Sequence, residues 1–494
     1  MLGGAAATMI SLVGLAWTRE FIGGVGGLFG IPPTAGSTQL TCVIFAVLMI
    51  YVLDFSINVI QAGIRAYIVD NAPTHQQDSA NAWASRMSGI GNIIGYLFGY
   101  VDLPKYLGFL GDTQFKVLCV IASAAMIVTL SISCWYVGER DPNREGPPGE
   151  EEGGLINFFK GLYRSIRKLP TQISRVCQVQ FFAWIGWFPF LFYITTYIGE
   201  IYVVDLFREN PLMTPAEIDQ AYERGTRVGT FALLVFALTT FGASIVLPFI
   251  VARSFHPPAP HAITPTTPLT PRVKTPGFQT PKTPMTPHTP GGAGTATGYF
   301  AFNPNDKQPQ HENVSFLQRC FAKLPNTEIK WLTLRRAWML SHVLFALLMW
   351  LTFAVRSTWS ATLVVGLIGI PWAMTNWAPF ALIAAEISKR EQIRHGHIKP
   401  PPTREAQALA SGEDPSEGAD QAGVVLGIHN LFIAAPQVIA TLMSSLIFQV
   451  LQKPRGSVGD DSVAWVLRFG GCAALLAAWW TRRVKEEGDD EERL

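Results

Sequence analysis

A chain of 494 residues that is 49% hydrophobic and only 15% charged, with a formal net charge of +2, departs from soluble proteins, which carry about 25% charged residues. The near-neutral balance leaves no electrostatic footprint for nucleic acid. Six scattered cysteines with no Cys-x-x-Cys pair give neither a metal site nor a disulfide framework. No nucleophile–base pair, phosphate-cradling loop or metal-ligand spacing stands out, so neither an enzyme nor a cofactor is expected.

The apolar residues fall in long blocks. A helix crossing the ~30 Å hydrocarbon core needs about 20 of them. In chain order, spans are expected over 2–17, 40–67, 80–100, 115–137, 177–203, 226–251, 337–355, 361–387, 422–451 and 462–480. The fold class is therefore an all-α polytopic membrane protein. Lys and Arg concentrate in the long loops and the C-terminal tail, which places these in the cytoplasm, and Met1 with them.

The loops divide the chain. A four-helix part occupies 1–137, and a central cytoplasmic loop 138–175. Two helices follow in 176–253, then a loop over 254–330, four helices in 331–481 with a cytoplasmic loop at 388–421, and a charged tail at 482–494. Within the central loop, Leu155, Ile156, Phe158, Phe159, Leu162 and Ile166 alternate with Lys160, Arg164, Arg167 and Lys168. This reads as a basic amphipathic helix on the inner leaflet or as a partly ordered linker. The 254–330 loop repeats Thr-Pro from Thr264-Pro265 to Thr289-Pro290. Proline removes amide donors and restricts the preceding residue, so a disordered linker is expected, open to kinases that would add charge at each threonine.

Four spans precede the central loop and six follow it. Secondary transporters are commonly built from two matched helical halves. The imbalance leads to the expectation that two spans are missing at the front, as in a truncated gene model, a splice form or a degenerate copy.

Polar groups inside spans are costly and mark candidate sites. Asp54, Asn58, Gln61 and Arg65 follow i, i+4, i+7, i+11 spacing, which puts them on one helical face. A row of this kind is expected to line a wet cavity, where a carboxylate can take up and release a proton. Asn92 lies in a similar polar series on the next span, among Gly89, Gly91, Gly95 and Gly99, which permit close helix contact. The fifth span carries Trp184, Trp187 and Pro189, and a break or kink is expected at that proline. Tryptophan faces stack on the apolar faces of sugar rings. The eighth span places Asn376 and Trp377 between Pro371 and Pro379, a pattern expected of a discontinuous helix at a site. In the ninth, His429 and Asn430 are polar. His429 either exchanges protons or holds an interhelical hydrogen bond.

These segments resemble the sucrose transporter branch of the glycoside–pentoside–hexuronide:cation symporters, of the major facilitator superfamily, with the flavour of fungal members. Residues 54–66, with Asp54, Asn58, Gln61 and Arg65, resemble its fourth helix. Ser79-Ala80-Asn81-Ala82 with Gly91-Asn92-Ile93-Ile94-Gly95 resembles the fifth. Trp184-Ile185-Gly186-Trp187-Phe188-Pro189-Phe190 with Gly199-Glu200-Ile201-Tyr202 resembles the seventh, and Gly225-Thr226-Arg227-Val228-Gly229 the start of the eighth. Gly369-Ile370-Pro371-Trp372-Ala373 and Pro379-Phe380-Ala381-Leu382 resemble the tenth, and Gly427 through Pro436-Gln437 the eleventh.

The resemblance implies a major facilitator fold and proton-coupled symport of sucrose or a related α-glucoside by alternating access, in the plasma membrane or the vacuolar one. It implies that Asp54 takes the proton-coupling position, Arg65 the sugar-binding or charge-balancing one, and Arg227 that of the family's eighth-helix arginine. Plant members often have Glu where Val228 stands here, and the family's first two helices have no counterpart. A non-transporting regulator, an inactive paralogue and a facilitator of another solute are the alternative readings.

Overall fold

The computed structural model describes residues 2–30, 32, 35–71, 77–136, 155–210, 213–252, 329–394, 400, 403–411, 422–453 and 460–485. Among these, the side chains of 62, 65–71, 77–85, 155–159, 215, 388, 391, 422 and 423 are excepted. The Thr-Pro repeat lies outside the described residues, as do half of the 388–421 loop and most of the tail.

Before the centre of the chain run α1 (Leu2–Ala16), α2 (Thr18–Leu28), α3 (Gly36–Asn71), α4 (Gln77–Tyr100), α5 (Leu103–Leu107) and α6 (Gln114–Tyr136). Then come α7 (Leu155–Lys168), α8 (Thr171–Glu209) and α9 (Pro215–Ile250). After a short strand pair follow α10 (Leu334–Trp350), α11 (Thr358–Arg394), α12 (Arg404–Ser411), α13 (Ala422–Ala434), α14 (Pro436–Leu451) and α15 (Ser462–Thr481). Among the described residues, eight helical stretches are long and apolar enough to cross a membrane, with α13 and α14 forming one of them. Of the other two expected spans, α1 is apolar but short, and α4 carries a polar series that lowers its hydropathy.

Local chemistry sets several boundaries. Thr214 and Glu217 form a reciprocal cap ahead of α9, with Thr214 N donating to Glu217 Oε2 at 2.7 Å. Pro215 follows at the first helical position, where its missing amide costs nothing. Pro436 ends α13, and its neighbour Ala435 separates the two short helices.

Two expectations need correction. Of the break or kink expected at Pro189, the break does not occur, and Pro371 and Pro379 do not make α11 discontinuous; both helices run through their prolines. A proline forfeits one amide donor, but neighbouring helices compensate when they hold the segment on both sides. Gly186 packs so tightly that an added Cβ would sit 2.5 Å from the Gly470 carbonyl oxygen on α15. A Cβ on Gly369 of α11 would meet the Phe236 carbonyl oxygen on α9 at 2.7 Å.

The second half has one continuous core. Its central helix is α8, which packs against α9, α11, α13, α14 and α15, while α10 packs on α11 and α15. Leu162 and Ile166 of α7 dock on this core, with Lys160, Arg164, Arg167 and Lys168 exposed. In the first half, α1 packs on α3 and α6 around a small cluster of Ala5, Ile60 and Leu130. Among the described residues α2 and α4 also touch α3, while Leu40, Ile44, Leu48, Tyr51, Phe55 and Val59 are exposed along it. The halves meet where α4 packs on α9.

A two-stranded parallel pair joins Val251–Ala252 to Ile329–Thr333, with Val251 opposite Ile329 and Ala252 opposite Thr333. The register slips between its two pairs.

Candidate functional site

On α3 the side of contact is fixed by a buried hydroxyl pair. Thr8 Oγ1 of α1 donates to Ser56 Oγ at 2.8 Å, and Ser56 Oγ donates on to the Leu53 carbonyl at 2.9 Å. Ile60, one turn further, is buried on the same side. At 100° per residue, Asp54, Asn58 and Gln61 lie roughly 140–160° around the helix from Ser56, and Gln61 about 100° from Ile60. All three are exposed, and Asn58 Nδ2 donates to the Asp54 carbonyl at 2.9 Å. The side chain of Arg65 lies outside the described residues. Asn92 on α4 is exposed.

Arg227 sits apart from this row. Its Nη1 lies 2.8 Å from Asp102 Oδ2, at the end of α4. Around the pair, a Cβ on Gly99 would come within 2.5 Å of Thr230 Cγ2, and the rings of Tyr100 and Phe231 lie 5.0 Å apart. Further along the seam a Cβ on Gly89 would meet Phe241 at 3.1 Å. The arginine therefore bridges the two halves. Asp102 escaped the sequence reading because it lies in a loop just beyond a span, where charges are commonplace.

The tryptophans of the second half separate into two kinds. Trp187 is 1% exposed, with its ring 4.2 Å from Phe345 and 4.8 Å from Trp372. It is part of the core. Trp184 is half-buried, 5.9 Å from Trp372 and 5.3 Å from Phe188, and its Nε1 is a buried donor with no partner among the described residues. Trp377 is half-buried against the core. Asn376 is exposed, its Nδ2 donating to the Trp372 carbonyl at 2.9 Å. Asn430 on α13 is exposed, while its neighbour His429 is buried.

His429 holds an interhelical hydrogen bond, one of the two roles expected for it. Its Nε2 lies 3.3 Å from Gln180 Nε2 of α8, and both residues are 1% exposed. The Phe380 ring of α11 stands edge-on 4.9 Å from the imidazole. Gln180 was missed in the sequence, although an amide one turn before Trp184 in an aromatic-rich span was the available signal. The structure thus brings together Gln180, Trp184, Trp372, Phe380 and His429 in the second half. No described hydrogen bond or ion pair links them to the Asp54 row.

No family model matches the chain. It is 34% identical over 456 residues to the general alpha-glucoside permease of the fission yeast Schizosaccharomyces pombe, covering 90% of the chain and 73% of that relative. It is 29% identical over 257 residues to the rice (Oryza sativa) sucrose transport protein SUT2, covering 49% of each. Rice SUT3 matches at 32% over 200 residues, 38% of each chain. These relatives are transporters, and the apolar helices and interhelical packing accord with them. The chain belongs to the family of α-glucoside and sucrose transporters of the major facilitator type, as an all-α, multi-pass integral membrane protein.

Proposed function

We propose that the protein carries sucrose or a related α-glucoside across the membrane together with protons, by alternating access between its two helical parts. The observation that carries the reading is the row of Asp54, Asn58 and Gln61 on the face of α3 opposite its packing contact. A carboxylate and two amides along a bilayer helix are stabilised where water reaches them. Asp54 takes the proton, and Arg65, about 16 Å further along the helix axis, binds sugar or balances another charge. The names of the fission yeast and rice relatives support the sugar class. The membrane is the plasma membrane, and the Thr-Pro loop faces cytosolic kinases.

The test is uptake of radiolabelled sucrose and maltose in a transport-null yeast at two external pH values. Asp54→Asn abolishes proton-driven uptake while the protein still inserts. Undiminished uptake removes Asp54 from the mechanism.

Competition by a panel of unlabelled solutes separates sugar transport from facilitation of another small molecule.

A further inference from the structure

Two unpartnered buried polar atoms lie one turn apart on α8. Gln180 Oε1 is an acceptor, Trp184 Nε1 a donor, and neither has a hydrogen-bond partner among the described residues. Their i, i+4 spacing puts them on the same face of the helix. Rotating the Gln180 amide does not remove the deficit. It sets Oε1 against the His429 ring nitrogen and leaves Nε2 unpartnered in its place. In either orientation one polar atom of this buried amide is left without a partner among the described residues.

Two other helices build the surroundings. His429 of α13 pins the amide from one side, and Phe380 of α11 pins the imidazole. On α11, Trp372, Asn376 and Phe380 recur every fourth residue and share a face. The Trp372 end of that face meets Trp184, and the Phe380 end meets His429. Asn376 lies between them and is exposed, as is Phe380, so the nook has an open side.

A hydroxyl group both donates and accepts one hydrogen bond or more, which is the chemistry these two atoms lack. A pyranose ring offers several hydroxyls at its edge and apolar C–H faces to an indole. We propose that Gln180, Trp184 and Asn376 form a hydroxyl-binding subsite for a sugar ring, with Trp372 and Phe380 as its aromatic walls and His429 positioning Gln180. In the bound state a sugar hydroxyl donates to Gln180 Oε1, and Trp184 Nε1 donates to a neighbouring sugar oxygen. This rests on the reading of the protein as a sugar transporter and assigns the contacts within it.

The test is equilibrium binding of sucrose, maltose and a set of their monodeoxy analogues to the full chain in nanodiscs, for wild type, Gln180→Met and Trp184→Phe. Thermal melts accompany each variant. Gln180→Met is expected to weaken disaccharide binding about tenfold, the factor that 1.4 kcal/mol represents. One deoxy analogue is expected to bind wild type and Gln180→Met equally, because its missing hydroxyl is the one that the amide receives. Trp184→Phe, which keeps an aromatic ring but loses the donor along with part of the indole, carries the test if Gln180→Met fails to fold. Unchanged binding in both variants, or an equal loss for every analogue, overturns the subsite and leaves sugar transport standing. Absence of sugar binding by the wild type overturns both readings.

Discussion

Arg227 of α9 and Asp102 at the end of α4 form an ion pair that joins the two halves of the molecule. Asp102 is held ready for it. Gln114 Nε2 donates to the carbonyls of Val101 at 2.8 Å and Phe98 at 2.9 Å, and Gln114 Oε1 accepts from Leu103 N at 3.0 Å. Asp102 is about half exposed, so solvent screens the pair and its coupling is expected at ~1 kcal/mol or less. Asp102→Asn and Arg227→Gln should each lower the melting temperature, and the double variant should be no worse than the weaker single one. Fully additive losses in that cycle mean that the two charges act separately.

Gly186 and Gly470 let the backbones of α8 and α15 touch. A Cβ on either would approach the other's carbonyl oxygen, at 2.5 Å for Gly186 and 2.9 Å for Gly470. Backbone cannot yield as a flexible side chain does. Gly186→Ala is expected to cost about 1–3 kcal/mol by overpacking, and Gly186→Val more. Size-exclusion profiles after heating report the loss directly, and an unshifted profile for Gly186→Val contradicts the contact.

Lys116 near the start of α6 is 7% exposed and receives two carboxylates, Asp112 at 2.6 Å and Glu20 of α2. Hydrogen bonds from its ammonium hold both Glu20 and Asp112 below the usual carboxylate range. Groups with lowered folded-state pKa stabilise the fold above their unfolded values, about pH 4. That contribution fades as pH falls through the lowered values. Melting temperatures between pH 6 and pH 3 should therefore drop toward acid, and Lys116→Met should flatten the dependence. An identical slope in that variant excludes this trio as the cause.

Arg390 of α11 is buried, and its Nη1 donates to Glu405 Oε1 of α12 at 2.6 Å. Glu405 also accepts from Thr171 Oγ1 of α8 at 3.1 Å through its other oxygen. Breaking a fully buried pair costs about 3–5 kcal/mol. Glu405 is 38% exposed, so Glu405→Ala is expected at the lower figure or below it. Limited proteolysis should then cut earlier in the neighbourhood of α12. Glu405→Gln should recover part of the loss, since the amide oxygen still accepts from Arg390.

Length and hydropathy are local properties, and they placed some membrane helices within a residue or two, as α6 from Gln114 to Tyr136 and α15 from Ser462 to Thr481, whereas α8 and α9 begin at Thr171 and Pro215, well before their expected apolar spans. The alternation over 155–168 likewise gave α7. The prolines misled because α8 and α11 are held by neighbours that no local window contains. In the candidate site, the spacing of Asp54, Asn58 and Gln61 predicted their common face, and Thr8 with Ser56 showed which way it points. Gln180 and His429 are 249 residues apart, so their pairing depended on how α8 meets α13. Trp184 and Trp187 are three residues apart in the sequence, yet only Trp187 is nearly sealed, a distinction that packing alone creates.

The short parallel pairing of Val251–Ala252 with Ile329–Thr333 sets where residues 253–328 leave the bundle and where they return. Exit and re-entry are side by side, so the anchorage is independent of what is strung between the two points. Extra closure cost rises only with the logarithm of the intervening length. Cutting out most of those residues, or splicing in a foreign domain, should leave α9 and α10 docked as they are, which makes this the natural place to attach a reporter.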